Sequence, residues 1–201
     1  MNTTYKGFEA MKQAMTVKMT LTALAFCALS VSFALAAGPA GNFYYDGGRQ
    51  RALLLDDTLV AEFGQTPNAV KSAIPGAQSA KSGGGATIYR VQPGSYKAAA
   101  SAAPKASISP VFHEGGSAAG RLMALPGGVL VNFKAGWTAA QVNGWAAAKG
   151  LAVDKKLAIG ENWYAIKSAP GQASLDLANQ IQQSGEVVSA TPNWWKEVST
   201  R

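Results

Sequence analysis

Histidine and cysteine are almost absent. The 201 residues contain one of each, His113 and Cys27. That scarcity argues against a metal site built from several His and Cys ligands, and against a disulfide framework. Charged residues are also few, at 14% of the chain, and the positive ones stand singly. Lys155-Lys156 is the only adjacent basic pair. A nucleic-acid surface needs a clustered basic stripe, so the net charge of +7 reads as a mildly basic solvated surface. Apolar residues are not scarce. They make up 48% of the chain, which excludes a wholly disordered protein.

Part of that apolar content lies at the front. Lys6, Lys12 and Lys18 precede an uncharged run from Met19 to Leu35, and Ala34-Leu35-Ala36 is an A-x-A pattern. Residues 1–36 therefore read as a secretory signal peptide. A membrane anchor is the competing reading, because the run is just long enough to cross a bilayer. The position of the A-x-A site favours cleavage. Phe26 before Cys27 does not suit a lipidated cysteine, and Met11, Met15 and Met19 are alternative starts. Removing 1–36 takes away Lys6, Lys12, Lys18, Glu9 and Cys27. The net charge then falls from +7 to +5 and no cysteine remains. The expected location is secreted or periplasmic, with no stable membrane anchor after cleavage. The expected core has no disulfide to support it.

Two blocks follow. The first, 37–93, is expected to be a small β-rich unit. Residues 94–110, GSYKAAASAAPKASISP, are dominated by small residues and read as a linker or mobile loop. The second block, 111–201, carries all five tryptophans. The blocks begin alike. Phe43-Tyr44-Tyr45 leads to Gly47-Gly48, then Leu53–Leu55 and Leu59–Phe63. Val111-Phe112 leads to Gly115-Gly116, then Leu122–Leu125 and Val129–Phe133. Each reads as a strand, a glycine turn, and two further strands joined by a tight turn, at Asp56-Asp57 in one and Pro126-Gly127-Gly128 in the other. A duplication is one account of the likeness. Within the first block, Thr66-Pro67 is expected to start a short helix to about Ile74, and Ala86–Val91 is expected to be a strand.

The second block then alternates periods. Val129, Val131 and Phe133 share one face of a strand. Thr138 is expected to cap a helix that Gly150 ends, with Ala139, Val142, Trp145 and Ala146 on one side. Leu151–Leu157 and Asn162–Lys167 read as strands. Ala173–Ser184 reads as a helix carrying Leu177, Ala178 and Ile181. Glu186–Ala190 reads as the last strand. The order β-α-β-β-α-β predicts an α+β fold, a ferredoxin-like sandwich over about 128–195 with one sheet face open.

The chain's last stretch, Glu186-Val187-Val188-Ser189-Ala190-Thr191-Pro192-Asn193-Trp194, resembles the end of the N-terminal prodomains of subtilisin-like serine proteases. In the fervidolysin-like branch the last strand runs into V-x-x-A-x-P-N and an aromatic. Val187, Ala190, Pro192, Asn193 and Trp194 stand at those positions. Val129-Leu130-Val131-Asn132-Phe133-Lys134-Ala135-Gly136 is similar to that family's V-x-V-x-F-x-x-G. The likeness covers about 128–195, and the Tyr44-Tyr45 and Gly47-Gly48 strands look like the β-rich lead-in seen ahead of some such prodomains. The resemblance implies a protein that helps a protease fold and inhibits it. The open sheet face would dock on the protease, and the tail would lie in the substrate cleft. One departure is Thr191, where the family usually has an acidic residue suited to helix N-termini. Another is the lack of the subtilase Ser motif G-T-S-M-A, of its His motif and of any G-x-S-x-G. The chain is therefore expected to be a free-standing, non-enzymatic prodomain that acts in trans on a subtilisin-like serine protease. A cell-surface or periplasmic binding module and the remnant front of a subtilase gene are the alternatives.

The expected partner-binding residues are Trp163, Ala190, Thr191, Pro192, Asn193, Trp194, Trp195, Lys196, Glu197, Val198, Ser199, Thr200 and Arg201. Trp163 alternates away from Tyr164 and Ile166, which places it on the open face or under a loop. Trp194 and Trp195 are consecutive and point opposite ways. They do not fit easily into one core, and Trp is enriched at binding hot spots, so both read as partner contacts. Trp145 reads as core. His113 reads as a surface or turn residue. Asp46, Asp56, Asp57 and Glu114 read as turn residues, and Asp56-Asp57 lacks the ligand spacing of a calcium loop. No catalytic residue, metal or cofactor is expected.

Overall fold

Gly47 and Gly48 have φ of 56° and 77°, the backbone a two-residue hairpin turn requires at both centres. They join β1 (Asn42–Asp46) to β2 (Arg49–Phe63), which pair antiparallel from Asp46↔Arg49 to Asn42↔Leu53. The computed structural model describes residues 42–64 and 68–198. The expected signal segment, the helix start at Thr66-Pro67 and tail residues Ser199, Thr200 and Arg201 lie outside these.

β2 corrects one expectation. Leu53–Leu55 and Leu59–Phe63 are not two strands around a turn but one strand with a bulge between Asp56 and Val60. Asp56 Oδ1 accepts from the Thr58 N–H and hydroxyl at 3.0 and 2.6 Å. The turn-forming chemistry is present, and the kink is absorbed because β5 (Ser107–Glu114) pairs with β2 on both sides of it. The likeness between the blocks also ends here. β6 (Leu122–Ala124) pairs with β5, while β7 (Val129–Asn132) enters a different sheet.

The first sheet, sheet A, is completed by β3 (Gln78–Gly83), β4 (Ala86–Arg90) and β11 (Trp195–Lys196). Its order is β11-β6-β5-β2-β4-β3, with β1 on β2. The two ends of that order approach each other. Lys81 of β3 pairs with Glu197 just after β11, and a Cβ at Gly84, in the β3–β4 turn, would lie 2.8 Å from Trp195 Nε1. The sheet therefore curls around Leu59, Ala61, Ile88, Val111 and Ala124, with Phe63, Leu122 and Trp195 packed on them. The alternate residues of the same strands, Val60, Tyr89 and Ile108, meet α1 (Ala69–Ala73) and α2 (Tyr96–Ala102) through Val70 and Ala99.

Residues 94–110 are thus not a linker. They hold α2 and the first half of β5. Their alanines suit a helix, and Ala99, fully buried, lets α2 lie close on the sheet. α1 starts without a side-chain cap of its own. Its free N–H groups are taken by buried Glu62, whose carboxylate accepts from Asn68, Ala69 and Val70 at 2.7–3.0 Å.

Sheet B contains β7, β8 (Val153–Lys156), β9 (Trp163–Ile166) and β10 (Ser189–Pro192), in the order β10-β7-β9-β8, all antiparallel. α3 (Ala139–Ala148) and α4 (Gln172–Gln183) pack on one face of it. Thr138 caps α3 in a box with Gln141. The core holds Val129, Val131 and Phe133 against Val142, Ala178 and Ile181. Phe133 stacks on Trp137 and meets Trp145 and Tyr164 edge-on. The last strand lies later than the sequence pattern placed it, at Ser189–Pro192 rather than Glu186–Ala190. Val187 is packed in the core before pairing begins at Ser189↔Asn132.

The described residues form one compact unit. α4 is shared. Ala178 and Ile181 face sheet B, while Leu175 joins Tyr44, Leu53, Phe112, Met123 and Leu125 of the sheet A side. The chain is α+β. No helix among the described residues is long and apolar enough to cross a membrane.

Candidate functional site

Strands β7, β9 and β10 of sheet B alternate strictly, while β8 is mostly exposed and carries a bulge. Val129, Val131, Tyr164, Ile166 and Ala190 are buried beneath the helices, and the residues between them are half-buried on the opposite side. Pairing groups these outward residues into two rows. Thr191, Leu130, Ala165 and Lys155 form one row; Ser189, Asn132 and Trp163 form the other. Leu130 and Ala165 of the first row floor a cleft of about 600 Å³ that the β8–β9 loop extends with Leu157 and Ile159. Ile159 is 56% exposed, unusual for an isoleucine. Asp154, Lys155 and Lys167 stand at the rim. The surface is thus apolar at its centre and charged around it, the anatomy of a protein-binding patch. Trp163 belongs to the outward row and also lies against Gly160 of the loop, so both expected placements hold at once.

The expected tail is placed differently. Ala190 is buried in the sheet B core, and Pro192 is buried opposite Val129 at the strand end. Of the tail's first residues, Thr191 stands on the outward side of the sheet and Asn193 lines the end of the cleft. Asn193 is pinned to the β6–β7 turn, its N–H to Gly128 O at 3.0 Å and its side-chain amide to Gly127 O at 3.1 Å. Trp194 meets Tyr44 and Phe112 edge-on, with ring centroids 5.1 and 6.1 Å apart. Trp195 pairs with Ala124 and Lys196 with Met123. Glu197 N–H donates to Leu122 O. No residue from Ala190 to Glu197 is exposed, and Val198, 80% exposed, is the first to leave the surface.

Trp194 and Trp195 do point to opposite sides. Each enters its own core, one on either face of sheet A, and the reading of both as partner contacts is corrected accordingly. The sequence argument took a single core for granted.

Charged side chains hold the same region. Glu114 accepts from Tyr44 OH at 3.2 Å, Lys196 Nζ at 3.0 Å and Arg121 at 2.8 Å. Burial opposes its charge, but the hydrogen bonds from Lys196 and Arg121 outweigh burial and hold the carboxyl below the usual range. Burial and the neighbouring Glu114 carboxylate push the Tyr44 phenol up to about 12. Glu114 is thus a hub rather than a turn residue.

His113 is likewise not a surface residue. It is half-buried near the end of β5. Its Nε2 lies 3.0 Å from Asp56 Oδ2 and its Nδ1 3.0 Å from Gly120 O. Burial raises the Asp56 carboxyl, and the hydrogen bonds from Thr58 and His113 outweigh this, so it lies below the usual range. Both ring nitrogens are engaged with partners that fix the β2 bulge to the β5–β6 loop. Among the described residues no group of three His, Cys, Asp or Glu side chains is arranged to hold a metal ion.

No protein-family model, curated protein or solved structure matches this chain. The sequence reading missed Leu130, Leu157, Ile159 and Ala165. A signal for two of them was present, since Leu130 and Ala165 are apolar at the outward positions of alternating strands. Leu157 and Ile159 lie in a loop and carry no periodicity.

Proposed function

We propose that sheet B and its two helices form a ferredoxin-like module of the subtilase-prodomain type, and that its open face binds a subtilisin-like serine protease in trans. One observation carries this reading: among the described residues nothing covers the apolar cleft floored by Leu130 and Ala165. The last-first-third-second strand order supports the ferredoxin-like assignment. In this reading the protein is exported and acts on its protease as inhibitor or folding helper. A preformed sheet lowers the ordering cost of such a contact. A partner surface with apolar side chains and a mixed-charge rim would complement the cleft.

The test is direct. Leu130→Asp and Ala165→Asp put a carboxylate on the floor of the cleft. Each is expected to abolish inhibition of a subtilisin-like protease while leaving the circular dichroism spectrum intact. Undiminished inhibition by both variants sinks the assignment of this face.

A second reading is favoured by the docking of Asn193–Glu197 into sheet A. A tail used as a strand within its own chain suits a binding module that never enters a protease cleft. Capture by the open face of a non-proteolytic surface protein, with no inhibition of subtilases, would favour it.

A further inference from the structure

We propose that His113 is a pH-sensitive latch on the β5–β6 loop (residues 115–121). With both ring nitrogens protonated it ties Gly120 to Asp56, and loss of one proton frees the loop. The inference stands apart from the protease-binding reading and uses a side chain that reading leaves idle.

The argument begins with donors and acceptors. A neutral imidazole has one N–H and one bare nitrogen. His113 meets two partners that can only accept. Its Nδ1 lies 3.0 Å from the Gly120 carbonyl oxygen, and its Nε2 lies 3.0 Å from Asp56 Oδ2. Asp56 is an ionised carboxylate here, because its hydrogen bonds from Thr58 and His113 outweigh the burial that opposes its charge. Satisfying both partners therefore takes two N–H groups, the imidazolium form. A neutral ring keeps one partner only. The bond to the carboxylate is the stronger of the two, so Nε2–H stays on Asp56 and the Nδ1 lone pair turns on the Gly120 carbonyl. Water does little to make up the loss, since the His113 side chain is only 12% exposed.

The other charges near the ring are occupied. Leu54 and Leu122, paired with His113 on either side, are apolar. Glu114 is bonded to Tyr44, Arg121 and Lys196. Glu197, which accepts from the Leu122 N–H, is paired with Lys81. Among the described residues Asp56 is the one carboxylate that His113 bonds.

The loop depends on this tie. Residues 115–119 are exposed and small, GGSAA, so no apolar packing anchors them. Backbone bonds hold the base of the loop, from Glu114 N–H to Arg121 O and from Gly115 N–H to Ala52 O. Gly120 folds back so closely that a side chain there would strike the Glu114 carbonyl. The bulge end is held independently, by the Thr58 N–H and hydroxyl on Asp56 Oδ1. Release is therefore one-sided: the loop leaves and the bulge stays. The tie is complete while His113 holds both protons and Asp56 is ionised. It is lost as pH rises through the titration of the ring, and lost again as pH falls through the lowered Asp56 value.

His113 is the only histidine in the chain, so its titration is read without ambiguity. Ring nitrogen shifts and amide protection, corrected for the intrinsic exchange rate, are followed by NMR between about pH 5 and 9. Expected are two protonated nitrogens at the acid end. As the ring loses a proton, protection of the Gly120 amide should fall about tenfold while that of Thr58 holds. Asp56→Asn offers an amide N–H in place of Oδ2 and keeps Oδ1 for Thr58. A neutral ring then satisfies both partners, and Gly120 should stay protected throughout. The wild-type titration decides alone if that variant folds poorly. A ring with one bare nitrogen over the whole range overturns the latch. So does Gly120 protection that stays level through the titration, an equal fall at Thr58, or an Asp56→Asn protein that shows the wild-type fall.

Discussion

Sheet A and sheet B are built from the same alternation of buried and outward residues, yet their outward residues have opposite fates. In the middle of sheet A both faces find cover within the chain, though Leu54 and Leu55 of β2 stay exposed. Val60, Tyr89 and Ile108 meet α1 and α2, while Leu59, Ala61 and Ile88 close on themselves as the sheet curls. In sheet B the helices cover one face only, and Leu130 and Ala165 remain on an open cleft. An apolar residue such as Val60 or Leu59 is therefore core whichever face it takes in the middle of sheet A, while Leu130 and Ala165 are candidate contacts in sheet B. What decides is whether another element reaches that face.

The comparison can be broken at its seam. Leu175, on a helix that covers sheet B, is buried in a core on the sheet A side, so Leu175→Ala should cost about 3 kcal/mol. Urea unfolding followed by tryptophan fluorescence and by far-UV circular dichroism should show one coincident transition, moved to lower denaturant. Two separated transitions would mean that the sheets are independent domains.

A smaller effect should stay within sheet A. Glu62→Gln keeps the shape but turns a carboxylate that accepts three backbone N–H groups into an amide, at a cost of about 2 kcal/mol. Amide exchange should rise at Asn68–Val70 and not in α3 or α4. A uniform rise across both sheets would contradict a local role.

The pH response should reach both sheets: Tyr44, Glu114 and Asp56 lie in sheet A, while Glu186, lowered by its hydrogen bonds from Lys149 and Trp145, lies on the sheet B side. Tyr44, raised to about 12, is favoured neutral in the fold. Its contribution is complete below the unfolded value of about 10 and is lost as pH rises towards 12. Tyr44→Phe should remove that alkaline loss in a stability series. Glu114 and Asp56 are lowered. Their contribution is present above the unfolded values of about 4 and is lost as pH falls through the lower folded values. Glu114→Gln should flatten the acid limb.

The smallest effect on stability is expected on the open face of sheet B. Leu130→Asp changes a half-buried outward residue and should shift the unfolding midpoint by less than about 1 kcal/mol, even though it is placed to abolish partner binding. A loss as large as that of Leu175→Ala would show that the face is structurally covered.

Much of the second half was legible because its signals are local. Thr138 and Gly150 bracket α3, the alternation of Val129–Phe133 and of Trp163–Ile166 marks two strands, and Gly171 and Gly185 bracket α4. The first half was harder. The alanine-rich 94–110 segment has the composition of a linker, and only its packing on Val60 and Tyr89 makes α2 a helix of the core. β3 (QSAKSG) has no apolar periodicity and is exposed throughout, so β4 alone makes it a strand. The open cleft was half legible, since Leu130 and Ala165 sit at outward positions while Leu157 and Ile159 have no pattern.

The sequence by itself determined the order of helices and strands in the second half, the caps and turns that bound them, and which strand face is apolar. All of these depend on neighbours within a few residues. The tertiary structure alone decided that β2 runs through Asp56-Asp57 as one strand and that α4 serves two cores. It alone placed Trp194 and Trp195 on opposite sides of the chain's own sheet. Each of those outcomes depends on which distant segment supplies a hydrogen-bonding edge or an apolar face, and no short stretch of residues encodes that choice.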